Sequence, residues 1–133
     1  MYYFAYGSNM NIEQMSHRCP DAAPIGPAVL LNYIVIERQY ADIEQRPGAQ
    51  VDGLLWEISE LCLRSLDRYE GYPRFYIRYN VDVIFNGCML NALVYEMTES
   101  AKRERSGLPY SADYRKKCSA GAVMHGIKDA FKL

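Results

Sequence analysis

Apolar and polar positions alternate in blocks short enough to read as separate elements. Tyr2-Tyr3-Phe4-Ala5 is aromatic-rich and too short for a helix, which predicts a buried strand that breaks at Tyr6-Gly7-Ser8-Asn9. Asn11-Ile12-Glu13-Gln14 has the form of a capping box, and Ile12, Met15 and Cys19 give the helix behind it one apolar stripe. Pro20, Pro24 and Pro27 end that helix and predict a turn-rich connection. Residues 28–38 are dense in β-branched side chains and read as a long or bent strand. Arg46-Pro47-Gly48 reads as a surface loop, and residues 51–58 as the next strand.

Ser59 is a suitable cap for a helix over 60–69, with Cys62, Leu66 and Tyr69 on one face. Gly71 stops it and Pro73 forbids its continuation. Residues 76–85 alternate, placing Ile77, Tyr79, Val81, Val83 and Phe85 on one side. Asn86-Gly87 is a strong two-residue hairpin turn, from which 88–97 returns antiparallel. Residues 98–109 are polar and read as mobile. Ser111 caps a last helix with Tyr114, Cys118 and Ala122 on one stripe, and Gly126 stops it. Five to seven strands and three helices define an α+β class. A twisted mixed sheet curled into a small barrel would hide its edges.

The 133 residues, half of them apolar, suit one domain with one core. Charged residues nearly cancel, to a net −1, so no basic stripe points to nucleic acid or an anionic membrane. No signal-peptide pattern and no apolar stretch of membrane-spanning length is present, so a cytoplasmic protein is expected. Cys19, Cys62, Cys88 and Cys118 are scattered without a C-x-x-C pair, and read as reduced structural thiols. His17 and His125 show no metal-ligand spacing. Nothing specifies a subunit interface; a homodimer stays open.

Two stretches carry candidate chemistry. A strand that breaks into Gly7-Ser8-Asn9 leaves successive N–H groups without ladder partners, a nest for an anion or for the oxyanion of acyl transfer. Glu70, four residues after the core-facing Leu66, should point inward, where a carboxyl's charged form is disfavoured and a general base near neutral pH results. A salt bridge to Arg74 or Arg78 is the plainer alternative.

Phe4-Ala5-Tyr6-Gly7-Ser8-Asn9-Met10 resembles the opening motif of the γ-glutamylcyclotransferase-like family. Leu66-Asp67-x-x-Glu70-Gly71 resembles the segment carrying that family's acid/base glutamate. Val51-x-Gly53-x-Leu55-Trp56-x-Ile58, Tyr76, Val81-x-Val83, Val94-Tyr95 and Ser111-x-x-Tyr114 follow in similar order. The resemblance implies a small mixed, largely antiparallel β-barrel with flanking helices and a pocket at one end. It also implies a cyclotransferase that releases 5-oxoproline from a small γ-glutamyl substrate without metal or organic cofactor. Glu70 would be the acid/base. Tyr6 and the amides of Gly7, Ser8 and Asn9 would face the glutamyl group, and Tyr76 and Tyr114 would line the pocket. Asn9-Met10 is similar to the branch acting on γ-glutamyl amino acids and peptides. A γ-glutamylamine or natural-product leaving group, and a non-catalytic pocket that binds a carboxylate or amino acid, remain the alternatives.

Overall fold

The computed structural model describes residues 1–132. Its strands are β1 (Tyr2–Ala5), β2 (Ala23–Arg38), β3 (Tyr40–Glu57), β4 (Tyr76–Phe85) and β5 (Cys88–Met97). Among the described residues there are four α-helices: α1 (Ile12–Arg18), α2 (Glu60–Glu70), α3 (Glu99–Glu104) and α4 (Ala112–Met124). The strands close into one barrel in the order β1-β3-β2-β4-β5. Every pairing is antiparallel except the closing one, β1 with β5, where Tyr3 lies opposite Leu93. Closure joins β1 to β5, so that the mixed sheet curls into the small barrel expected of it.

Phe4, Leu54, Leu55, Ile43, Val83 and Val94 are fully buried in the core. Gly53 lets β1 and β3 come together there, because a Cβ would stand 2.5 Å from the carbonyl oxygen of Ala5. These directions bring the C-terminal ends of β1 and β5 and the N-terminal ends of β3 and β4 to one mouth of the barrel.

Several expectations need correction. The turn-rich connection is mostly strand: β2 begins at Ala23 and takes in Pro24 and Pro27, which lie opposite Trp56 and Leu54 of β3. The β2–β4 ladder touches β2 only at Val29, so the prolines' missing N–H groups break no pairing on that side. Likewise β3 runs through Arg46-Pro47-Gly48. Residues 46–49 bulge out where the register jumps from Gln45 opposite Tyr33 to Gln50 opposite Leu31, and Gly48 N–H donates to Asn32 Oδ1 (3.1 Å). Ile77 is exposed, while its neighbour Tyr76 is buried. On α2, Cys62, Leu63 and Leu66 are buried, but Tyr69 stands out at 55% exposure.

Residues 98–109 are not a loop throughout. Thr98 caps α3 by accepting the Ala101 N–H, and Lys102 reaches the fully buried Asp42 (2.8 Å), which also takes Arg38 and the Met97 N–H. A buried carboxylate persists because cations and an amide satisfy it from three sides. Cys19 and Cys62 are not free thiols. They form a disulfide (Cα–Cα 5.0 Å) where the end of α1 packs on the start of α2, a contact that a 43-residue separation hides from the sequence. Cys88 and Cys118 are free. No described helix is long and apolar enough to cross a membrane.

Candidate active site

The barrel mouth is covered by the turn after β1 and by the ends of three helices. Ser8–Met10 forms one turn of 3-10 helix, in which Met10 N–H bonds Gly7 and Asn11 N–H bonds Ser8. The N–H groups of Gly7, Ser8 and Asn9 find no acceptor among the described residues. Gly7 is needed for space: a Cβ would sit 3.0 Å from the Tyr114 hydroxyl and 3.2 Å from the Ala41 Cβ. Asn11 then caps α1 by accepting the Gln14 N–H (3.1 Å), as the capping-box spacing predicts.

Glu70 is the last residue of α2. Gly71 closes the helix in the left-handed region (φ 65°), with its N–H on Arg68 and that of Tyr72 on Asp67. Asp67 fixes the outer side of this last turn through Arg78 (2.8 and 3.1 Å) and the Tyr95 hydroxyl (2.7 Å). Arg78 is thus occupied elsewhere. Glu70 forms no ion pair among the described residues, so the salt-bridged alternative does not hold. Its Oε1 accepts from Asn9 Nδ2 at 3.3 Å. Burial pushes this carboxyl up to about 7, against the opposite pull of the Arg18 charge and the Asn9 hydrogen bond.

A cavity of about 340 Å³ lies between these parts. Glu70, Tyr6, Gly7, Ser8, Asn9, Tyr76 and Tyr114 all line it, so every site residue read from the sequence is brought to one place. Not all offer free polar atoms. Tyr6 donates its hydroxyl to the Tyr95 carbonyl (2.5 Å) and Tyr76 donates to the Ala41 carbonyl (2.8 Å). Tyr114 accepts the Ala41 N–H (3.0 Å). Burial raises all three phenols above their ordinary range, which keeps them neutral. Their hydroxyls tie the mouth of the barrel together while the rings wall the cavity.

The sequence reading missed Tyr3, Gln14, Arg18, Tyr95 and Lys117, which also line the space. Tyr3 accepts from Asn9 Nδ2 (3.0 Å). Gln14 Nε2 donates to Ser8 Oγ (2.7 Å) and Asn9 Oδ1 (2.9 Å). Gln14 and Arg18 are four apart and share a face of α1, which was the available signal. Tyr3 and Tyr95 carried none, since aromatic residues in strands are ordinary core.

The family described as gamma-glutamyl cyclotransferase, AIG2-like, matches residues 3–116 of this sequence. The chain is 32% identical to human gamma-glutamylcyclotransferase over 94% of its own length and 71% of that protein. It is 29% identical to the bovine protein of the same name over the same shares. A solved gamma-glutamyl cyclotransferase superposes with a TM-score of 0.82 at 28% identity, covering 96% of this chain and 81% of that one. A human protein solved without an assigned function superposes with a TM-score of 0.86 at 30% identity, covering 96% and 80%. The chain belongs to the AIG2-like gamma-glutamyl cyclotransferase family.

Proposed function

We propose that this chain is a cyclotransferase that acts on γ-glutamyl amino acids or peptides and releases 5-oxoproline, with Glu70 as acid/base and the amides of residues 7–9 as the oxyanion and substrate site. One observation carries the reading: Glu70, whose carboxyl is desolvated, and residues 7–9, whose N–H groups find no acceptor among the described residues, line one small-molecule-sized cavity.

The chemistry follows from the substrate. The α-amine of a γ-glutamyl group can reach its own γ-carbonyl and close a five-membered ring, so the enzyme supplies no nucleophile. Well-oriented intramolecular attack is worth roughly 7–11 kcal/mol over a bimolecular reference. Glu70 takes a proton from the α-ammonium, and the freed lone pair attacks the γ-carbon. Charge developing on the carbonyl oxygen is met by the amides of residues 7–9. As the γ-carbon–nitrogen bond breaks, Glu70 returns the proton to the departing amine, and the ring nitrogen gives up its second proton to solvent to become the lactam N–H, the free amine taking one up in turn. A carboxyl held near 7 suits both steps, and such proton shuttling typically contributes about 10²–10⁴-fold.

The test is direct. The purified protein is incubated with a γ-glutamyl dipeptide, a γ-glutamylamine and an α-glutamyl dipeptide, and 5-oxoproline is quantified by mass spectrometry. Release is expected from the γ-linked dipeptide and not from the α-linked one. Binding of the γ-linked compounds without any release would reduce the molecule to a pocket protein and sink the reading.

A further inference from the structure

Asn9 is the residue through which the first turn reaches Glu70, and its carboxamide is bonded on every side. Oδ1 accepts from Gln14 Nε2 (2.9 Å) and Arg18 Nη1 (3.0 Å); Nδ2 donates to Tyr3 Oη (3.0 Å) and Glu70 Oε1 (3.3 Å). A guanidinium has no acceptor, so the atom facing Arg18 must be the oxygen. Turned over, the amide would set its NH2 against Arg18 and its oxygen against the Glu70 carboxyl, two repulsive contacts in place of two bonds. The backbone of Asn9 is held independently, by Trp56 Nε1 on its carbonyl (3.0 Å). The side chain's one choice, which way the amide faces, is therefore decided by α1.

Arg18 is itself placed with care. Its guanidinium lies 4.4 Å from the centre of the Tyr69 ring, next to Glu70 in the chain. Its carbonyl accepts the Ser65 hydroxyl of α2 (2.6 Å), and the residue after it is the disulfide-bonded Cys19. Two ties to α2 thus fix it against the helix that carries Glu70. It forms no ion pair among the described residues, so its charge is uncommitted and acts on the carboxyl.

We propose that Arg18 is a positioning residue of this site: it locks the Asn9 carboxamide with its NH2 toward Glu70, and so holds the carboxyl aimed into the cavity. The inference rests on the acid/base role of Glu70. Titratable groups from the other elements do not replace Arg18. Tyr3 of β1, Tyr6 behind it, Tyr76 of β4, Tyr95 of β5 and Tyr114 of α4 are all pushed above the ordinary phenol range by burial, hence neutral. Tyr40 of β3 and the exposed Lys117 of α4 complete the surroundings. Neither touches Asn9 or Glu70 through a hydrogen bond.

The experiment follows kcat for 5-oxoproline release from γ-glutamylalanine across pH in the parent, Arg18→Met, Arg18→Lys and Glu70→Gln, with the Glu70 carboxyl of the free protein titrated by ¹³C NMR alongside. Arg18→Met removes the cation and frees the amide to turn, and both changes disfavour the carboxylate. The acid limb and the NMR midpoint should move up by about one pH unit, with kcat at pH 7 falling about five-fold and recovering in alkaline buffer. Arg18→Lys, which restores a charge and one donor, should bring the midpoint most of the way back. A limb and midpoint left in place by Arg18→Met, with only a lower melting temperature, overturn the proposal; so does a lysine that rescues nothing. Should Arg18→Met not fold, Arg18→Gln carries the same comparison. An inactive Glu70→Gln beside an unmoved Arg18→Met removes the role of Arg18 alone, whereas an active Glu70→Gln removes the acid/base reading and this inference with it.

Discussion

Gly121 of α4 presses on the backbone of Asn11: a Cβ at position 121 would stand 2.7 Å from the Asn11 nitrogen and 2.7 Å from the Met10 carbonyl carbon. This contact seats the helix bearing Tyr114 on the turn that bears the site's amides. In an open helix, Gly→Ala would stabilise by roughly 0.5–1 kcal/mol. Here the methyl meets backbone, which cannot yield as a side chain can, and overpacking of this kind costs about 1–3 kcal/mol. Gly121→Ala should therefore lower the melting temperature by on the order of 5–10 °C and raise KM, as α4 lifts from the turn. A variant that melted higher than the parent would show that the two backbones are not in contact.

The buried carboxyl of Glu70 should be visible in stability as well as in rate. Its pKa is raised, from 4.5 to about 7. Below pH 4.5 folded and unfolded chains are both protonated and nothing is lost. Between 4.5 and 7 the unfolded chain releases its proton while the folded one keeps it, so the fold weakens as pH rises, and above 7 the loss is complete. It amounts to at most about 3.5 kcal/mol, less where water reaches the carboxyl. Glu70→Gln keeps an acceptor for Asn9 but cannot ionise. It should melt with the parent near pH 4 and above it at pH 8, and should release no 5-oxoproline at either. Thermal scans at the two pH values check this. Equal melting at both would mean that the carboxyl is well solvated.

How much of this was legible depended on whether the signal was local. The cap at Ser59, the left-handed Gly71 and the Asn86-Gly87 turn are decided within a few residues, and α2 and the β4–β5 hairpin stand where the sequence put them. Glu70 could be aimed inward because helical spacing ties it to Leu66. Pro24 and Pro27 misled because their usual breaking effect depends on which neighbour needs the missing N–H, and that is a property of the closed barrel, while Pro47 sits in an unpaired bulge that the long β3 carries without ending. The six-residue α3 has a single buried residue, Ala101, too little for any periodicity to register. The hold on Asn9 was hidden for another reason: it joins four elements through polar side chains, which leave no hydrophobic pattern.

Gly7 offers a graded test of the amide nest. Its missing side chain is what lets the Tyr114 hydroxyl approach while still taking the Ala41 N–H (3.0 Å). A single methyl at 3.0 Å from that oxygen forces a small retreat; the branched carbons of valine would displace the ring and screen the amides. Gly7→Ala should reduce kcat/KM modestly. Gly7→Val should reduce it by about 10²–10³, the usual effect of losing an oxyanion donor. If Gly7→Val turned over at the parental rate, those amides would have no part in the reaction.

The disulfide supplies the last prediction. Cys19 and Cys62 join the end of α1 to the first turn of α2, closing a separation of 43 residues. A cross-link of that span restricts the unfolded chain, and its loss costs on the order of 4 kcal/mol on the chain-entropy account. The same two helices are also linked by the Ser65 hydroxyl on the Arg18 carbonyl (2.6 Å), and Ser59, the cap of α2, bonds Asp21 just beyond α1 (2.6 Å). The site should therefore survive without the bridge while the fold weakens. Cys62→Ser, or a reductant added to the parent, should lower the melting temperature by on the order of 10–20 °C yet leave kcat within a few-fold at 25 °C. Thiol titration of the denatured, unreduced protein should count two free cysteines, Cys88 and Cys118. Four would mean that the bridge does not form, and adding reductant would then leave the melting curve where it was.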